Sequence, residues 1–119
     1  MIKMTNNEQS LYGMSQERFE ELVKEISSAS NETLLRKNSM YATGDKLHNF
    51  RVGGDIVGGT TAQACWGYLT KHLVALRDKI DRNDFSDIED LKEKCMDSIN
   101  YIIFLWCIGN EEAKNNENK

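Results

Sequence analysis

Apolar residues recur at spacings of three and four along most of this chain, the period of an α-helix with one buried face. Phe19, Leu22, Val23, Ile26, Thr33 and Leu34 form a first stripe, with Glu17, Glu20, Glu21 and Glu25 off it and Ser15 in front as an N-cap. The run Ser27-Ser28-Ala29-Ser30-Asn31 is poor in helix formers and predicts a kink or interruption; the segment should end near Tyr41, with Gly44 as terminator. A second helix is expected from the capping box Thr60-Thr61-Ala62-Gln63, lined on one side by Trp66, Leu69, Leu73, Leu76 and Ile80. After a turn at Arg82-Asn83-Asp84-Phe85, Ser86-Asp87-Ile88-Glu89 reads as another capping box. The third helix it opens has Ile88, Leu91, Cys95, Ile99, Ile102 and Trp106 as its inner face and Gly109 as its close. Residues 44–61, polar and rich in glycine, are expected to be the one substantial loop. The expectation is an all-α bundle of three main helices in a single domain, residues 1–119, with the last two helices antiparallel. Residues 1–14, where Thr5-x-x-Glu8 could cap a leading turn, and 110–119 form polar terminal segments.

The third helix changes character along its length. Glu93, Asp97 and Asn100 share a face in its first half, whereas Ile102-Ile103-Phe104-Leu105-Trp106-Cys107-Ile108 is apolar all round. A helix apolar on every side is buried on every side. Only 39% of the chain is hydrophobic, so the core should be completed by oligomerisation through this stretch. Proline is absent, where average usage of about 5% predicts roughly six, which suits long helices joined by few turns.

A net charge of −4 lacks the basic footprint of a protein that binds long DNA or RNA, although a local basic cluster could still hold a small nucleotide. Cys65, Cys95 and Cys107 have no zinc-type spacing and read as small buried hydrophobes in a reducing compartment. No apolar run approaches the ~18 residues a membrane span needs, and no signal core leads the chain. The expected location is the cytoplasm.

Four elements could carry chemistry. Glu93 and Asp97, four apart, could share a hard cation such as Mg²⁺, or could be a solvated face beside Lys92 and Lys94. Asp45-Lys46-Leu47-His48-Asn49-Phe50-Arg51 gathers donors for a phosphate or a base, with Phe50 to stack; equally it is a polar loop pinned by Leu47 and Phe50. Gly58-Gly59-Thr60-Thr61 precedes a helix N-terminus, a general anion site, but lacks any P-loop or dinucleotide fingerprint and reads better as flexible chain. Lys71-His72 puts His72 at the edge of the apolar stripe and Lys71 away from it, so the pair could straddle the bundle and a ligand.

Taken in order, Lys37-Asn38-x-x-Tyr41-x-x-Gly44-Asp45, Leu47-His48-Asn49-Phe50, Lys71-His72 and Glu93-Lys94-x-x-Asp97-x-x-Asn100-Tyr101 resemble the phage and prophage proteins grouped as nucleotide modification associated domain 1, across residues ~34–108. That family is similar to the MazG-like all-α nucleoside triphosphate pyrophosphohydrolases, helical oligomers whose acidic helices hold Mg²⁺ and cleave between the α- and β-phosphates. The resemblance implies a phage setting, hence a host-cell cytoplasm, with Mg²⁺ as cofactor and Glu93 and Asp97 as its ligands. MazG-like enzymes carry Glu-x-x-Glu on one helix and Glu-x-x-Asp on the next. Here Glu93-x-x-x-Asp97 is one residue longer, and the second helix has Lys71 and His72 where acids would stand. Cleaving a triphosphate needs metal to offset developing charge, while cationic side chains suit a direct grip on phosphate. The expectation is a protein that holds or sequesters a small nucleotide or nucleotide-derived signal. Asp45, Lys46, His48, Asn49, Lys71, His72, Asn100 and Tyr101 would form the ligand site. The alternatives are a Mg²⁺-dependent pyrophosphohydrolase and an oligomeric protein–protein adaptor.

Overall fold

A computed structural model describes residues 13–39 and 44–117, with the side chains of 37–39 set aside; Thr5-x-x-Glu8, the Lys37-Asn38 side chains and Tyr41 lie outside the described residues. Within them the chain is all-helical, in four helices: α1 (Gln16–Ser39), α2 (His48–Val57), α3 (Thr61–Asp81) and α4 (Ile88–Glu117). None is long and apolar enough to cross a membrane.

The caps explain where the helices begin and turn. Ser15 Oγ accepts from the Arg18 N–H at 3.0 Å and starts α1. At α3 the Thr60 hydroxyl accepts from the Gln63 N–H (3.1 Å) while the Gln63 amide oxygen accepts from the Thr60 N–H (2.8 Å), the reciprocal box read from the sequence. The box expected from Ser86 to Glu89 is replaced by a neighbour one residue along. Asp87 Oδ1 accepts from the Asp90 N–H, and Ser86 turns back to Asp84. Between α3 and α4, Asn83 takes the left-handed conformation (φ 51°) and the Asp84 N–H reaches the Lys79 carbonyl, a Schellman-type close.

Three expectations about where helices run need correction. The segment taken for a loop contains α2, ended by Gly58 at φ 70°. Its glycines disfavour a helix locally, but Leu47 and Phe50, each 6% exposed, bury its first turn. At Gly54 a Cβ would come 2.7 Å from the Thr60 carbonyl oxygen, so only glycine lets α2 lie on the start of α3. Secondly, α1 runs unbroken through Ser27–Asn31, because Ser30 is buried and its hydroxyl donates to Asn100 Oδ1. Thirdly, α4 continues past Gly109 to Glu117, where Asn110 donates to the Trp106 carbonyl and good helix formers follow.

The core joins Leu47 and Phe50 of the α2 end to Cys65 of α3 and Ile108 of α4, with Ala62, Tyr101, Phe104 and Leu105 against it. Leu69 of α3 is also buried. The inner face of α4 matches the one read from the sequence only in part: Leu91, Cys95 and Ile99 are half-buried, whereas Ile88, Ile102 and Trp106 are exposed, and of the apolar run only Ile108 is fully buried. A helix apolar all round offers two stripes, and α2 and α3 select the one through Tyr101, Phe104 and Ile108. Trp66 and Ile80 of α3 are likewise exposed, while Lys79 is buried. Among the cysteines only Cys65 is fully buried; Cys107 is exposed.

Candidate functional site

Where α2, α3 and α4 meet the second half of α1, they enclose a cavity of about 280 Å³. Its lining unites Lys46 and Asn49 with His72 of α3 and with Asp97, Asn100 and Tyr101 of α4. These are six of the residues singled out in the sequence. Thr33, Leu34, Phe50, Tyr68 and Phe104 complete the wall.

The start of α2 is fixed by Asp45. Its Oδ1 accepts from the Leu47 N–H (3.0 Å) and its Oδ2 from Arg51 Nε (2.7 Å). The Leu47 amide first, and then Arg51, hold the Asp45 carboxyl below its ordinary range. Asp45 thus positions Lys46 and Asn49 at the cavity and does not line it. The Phe50 ring anchors the same turn, edge-on to Tyr68 (5.9 Å) and Tyr101 (6.1 Å) and tilted on Phe104 (5.2 Å). Tyr101 in turn stacks on His72 at 5.0 Å and on Tyr68 at 5.9 Å, the planes 23° and 11° apart. One wall is therefore a shelf of stacked aromatic rings, a side-chain type on which planar heterocycles can also stack.

The polar members lie at the edge of that shelf. Asp97 Oδ2 is 3.8 Å from His72 Nδ1, beyond hydrogen-bond length. Asn100 is 6% exposed; its Oδ1 accepts from Ser30, and its Nδ2 has no acceptor among the described residues. A buried amide N–H without a partner costs about 1–3 kcal/mol, which a ligand acceptor would relieve. Below the shelf the Cys65 thiol donates to the Tyr101 carbonyl (3.4 Å), and burial pushes its pKa up to about 11. It is a packing group and not a nucleophile.

The other expected residues fall outside. His48 and Lys71 are exposed and do not line the cavity. Glu93 faces a separate groove between α1 and α4, with Glu32, Glu89 and Asp90. Glu93 and Asp97 are thus one turn apart but divided between two cavities. Among the described residues no group of three or more His, Cys, Asp or Glu could hold a metal ion. At Gly58-Gly59-Thr60-Thr61 the capping box engages the Thr60 and Gln63 N–H groups.

Sequence reasoning missed Tyr68 and Ser30. Tyr68 stands four residues before His72, a spacing that puts both on one helix face. Ser30 is 70 residues from Asn100, and nothing local announces that pairing. No protein-family model, curated protein or solved structure matches this chain.

Proposed function

We propose that this protein binds a small nucleotide or nucleotide-derived signal in the α2–α3–α4 cavity and holds it without turning it over. The observation that carries the reading is the convergence on one cavity of an aromatic wall, a lysine (Lys46), the half-buried Asp97 carboxylate and the buried Asn100 amide, whose N–H has no acceptor among the described residues. Stacking on such a shelf is worth about 1–3 kcal/mol per base. Lys46 and Asn49 at the mouth suit a phosphate, and Asp97 and Asn100 suit polar edges of a base or ribose. The division of Glu93 from Asp97 favours holding over metal-assisted hydrolysis.

Self-association belongs to the same reading. Cys95, Ile99, Ile102, Trp106, Gly109 and Ala113 follow one another along α4 at alternating steps of four and three, the spacing of a coiled-coil seam. Ile102 is 53% and Trp106 72% exposed, and a groove lined by Ile102, Leu105, Trp106, Gly109 and Ala113 runs beside them. The occupant is the same seam of a second copy, since a seam of this spacing is complementary to itself. Light scattering should give a multiple of the chain mass, and Trp106→Glu should reduce it to the monomer.

The test of function is incubation with nucleoside mono- and triphosphates and cyclic dinucleotides, with Mg²⁺ or Mn²⁺. Mass spectrometry then compares the filtrate with what heat releases from the protein. Intact nucleotide depleted from solution and recovered on heating is the expected result. Monophosphate accumulating beyond protein stoichiometry would overturn it in favour of a pyrophosphohydrolase. Neither depletion nor product would leave the adaptor reading.

A further inference from the structure

We infer that the base read by this cavity is guanine, with Asp97 and Asn100 as the residues that select it; the inference rests on the nucleotide-binding reading above. The two side chains lie one turn apart on α4 and line the same cavity beside the Tyr101 ring. Ionised Asp97 is acceptor-only, with two oxygens side by side. The His72 imidazole stands 3.8 Å away, beyond hydrogen-bond length. Asn100 presents the opposite polarity. The Ser30 hydroxyl donates to its Oδ1, and its Nδ2 has no acceptor among the described residues, so the N–H is the group left to seek a partner in a ligand. The edge facing a base on the aromatic shelf therefore reads acceptor, acceptor, donor.

Each base can be set against that edge. Guanine carries N1–H and its 2-amino group side by side, two donors matched to one carboxylate, followed by O6, an acceptor for the Asn100 N–H. Adenine and cytosine offer a single amino group beside an unprotonated ring nitrogen, which would face the second carboxylate oxygen lone pair to lone pair. Uracil and thymine offer one N–H flanked by two carbonyls, which repel a carboxylate on both sides. A site built to hydrogen-bond a group discriminates strongly against ligands lacking it, because its own buried groups then stay unpaired. The cavity volume, about 280 Å³, sits at the foot of the range for ligand pockets and suits one base with its sugar.

The experiment is equilibrium binding of GMP, IMP, XMP, AMP, CMP and UMP to the full chain and to its Asp97→Asn variant. GMP should bind the native protein most tightly. IMP, which lacks only the 2-amino group, should bind about tenfold more weakly, within the discrimination a bidentate pair gives. In Asp97→Asn the amide presents one donor and one acceptor, the complement of the xanthine 2-carbonyl and N1–H. The variant should lose about tenfold or more for GMP and gain affinity for XMP. That gain cannot come from a misfolded variant, nor from a residue with a purely structural role. Equal binding of all bases by the native chain would overturn the guanine assignment while leaving nucleotide binding in place. Uniform weakening in the variant, without a gain for XMP, would overturn the role of Asp97. Binding of no nucleotide would overturn the underlying reading itself.

Discussion

The two ends of the α3–α4 pair treat their polar groups in opposite ways. At the turn, Lys79 is buried, its Nζ 2.8 Å from Asp90 and 3.8 Å from Asp84, and Asp90 also accepts from Lys94 at 2.7 Å. Each charge has a counter-charge, the condition under which buried ions are tolerated. Two turns further along α4 the pattern reverses. Asp97 has no Lys or Arg within 4 Å among the described residues and only the His72 imidazole at 3.8 Å, and the buried Asn100 amide keeps an unused N–H. The same two helices thus close one end for themselves and leave the other chemically incomplete. A fully satisfied cluster stabilises; the incomplete one beside the aromatic wall is where the proposed ligand would sit.

Phe50→Ala should break the incomplete end most severely. It removes a buried ring that touches Tyr68, Tyr101 and Phe104, and should cost about 3–5 kcal/mol in denaturant unfolding. Retention of nucleotide should disappear with it. A cost no larger than that of a surface substitution would mean that α2 is not docked on α3 and α4. Gly54→Ala comes next, at about 1–3 kcal/mol, because its Cβ would press on the Thr60 carbonyl and push α2 off α3. Here affinity should fall with no cavity residue altered, which tests whether the docking of α2 shapes the site.

That same helix shows where sequence reading reached and where it stopped. The starts of α1 and α3 were legible because a cap is local: Ser15 meets the Arg18 N–H, and Thr60 meets Gln63. The start of α4 was legible to within one residue, since Ser86 and Asp87 are both good caps and only the fold chooses between them. Helix α2 was not legible. Its glycines argue for a loop, and the packing that overrides them joins Gly54 to Thr60 and Phe50 to Phe104, across distances no local rule covers. The inner face of α4 was misread over its second half for a related reason, because a run apolar on every side offers two stripes and no local rule chooses between them. In the site, spacing predicted a shared role for Glu93 and Asp97. Four residues advance a helix by about 400°, so the second side chain is turned some 40° from the first. Between α1 on one side and α3 on the other, that turn is enough to send the two acids into different cavities.

Ser30→Ala sharpens the comparison at lower cost. It removes the hydroxyl that holds the Asn100 amide, and should destabilise by about 1 kcal/mol, towards the lower end for a lost buried partner because the cavity can admit water. The freed amide can rotate and present oxygen instead of nitrogen. Discrimination among bases should therefore fall more than affinity for phosphate. Equal loss across all nucleotides would show that Ser30 supports the fold and not the orientation of Asn100.

The turn end supplies the smallest effect and the control. Hydrogen bonds from Lys79 and then Lys94 bring the Asp90 carboxyl from its ordinary 3.8 down to about 2. The Asp90 bond in turn raises Lys79. A carboxylate whose folded pKa is depressed contributes stability that is complete above its unfolded value and lost as pH falls through the folded one. The Asp90 contribution is therefore full above about pH 4 and fades towards pH 2. The Lys79 contribution has the opposite sense, full below its ordinary 10.5 and lost as pH rises beyond it. Asp90→Asn should lower the urea midpoint at pH 6, and the native and variant curves should converge as pH approaches 2. A gap that stayed constant with pH would mean that the ion pairs are not its source. Nucleotide retention at pH 7 should be unchanged in this variant, because Asp90 faces the α1–α4 groove and the turn and lies outside the aromatic cavity. Loss of nucleotide there would mean that the two ends are coupled along α4, and that the contrast between them is one of degree.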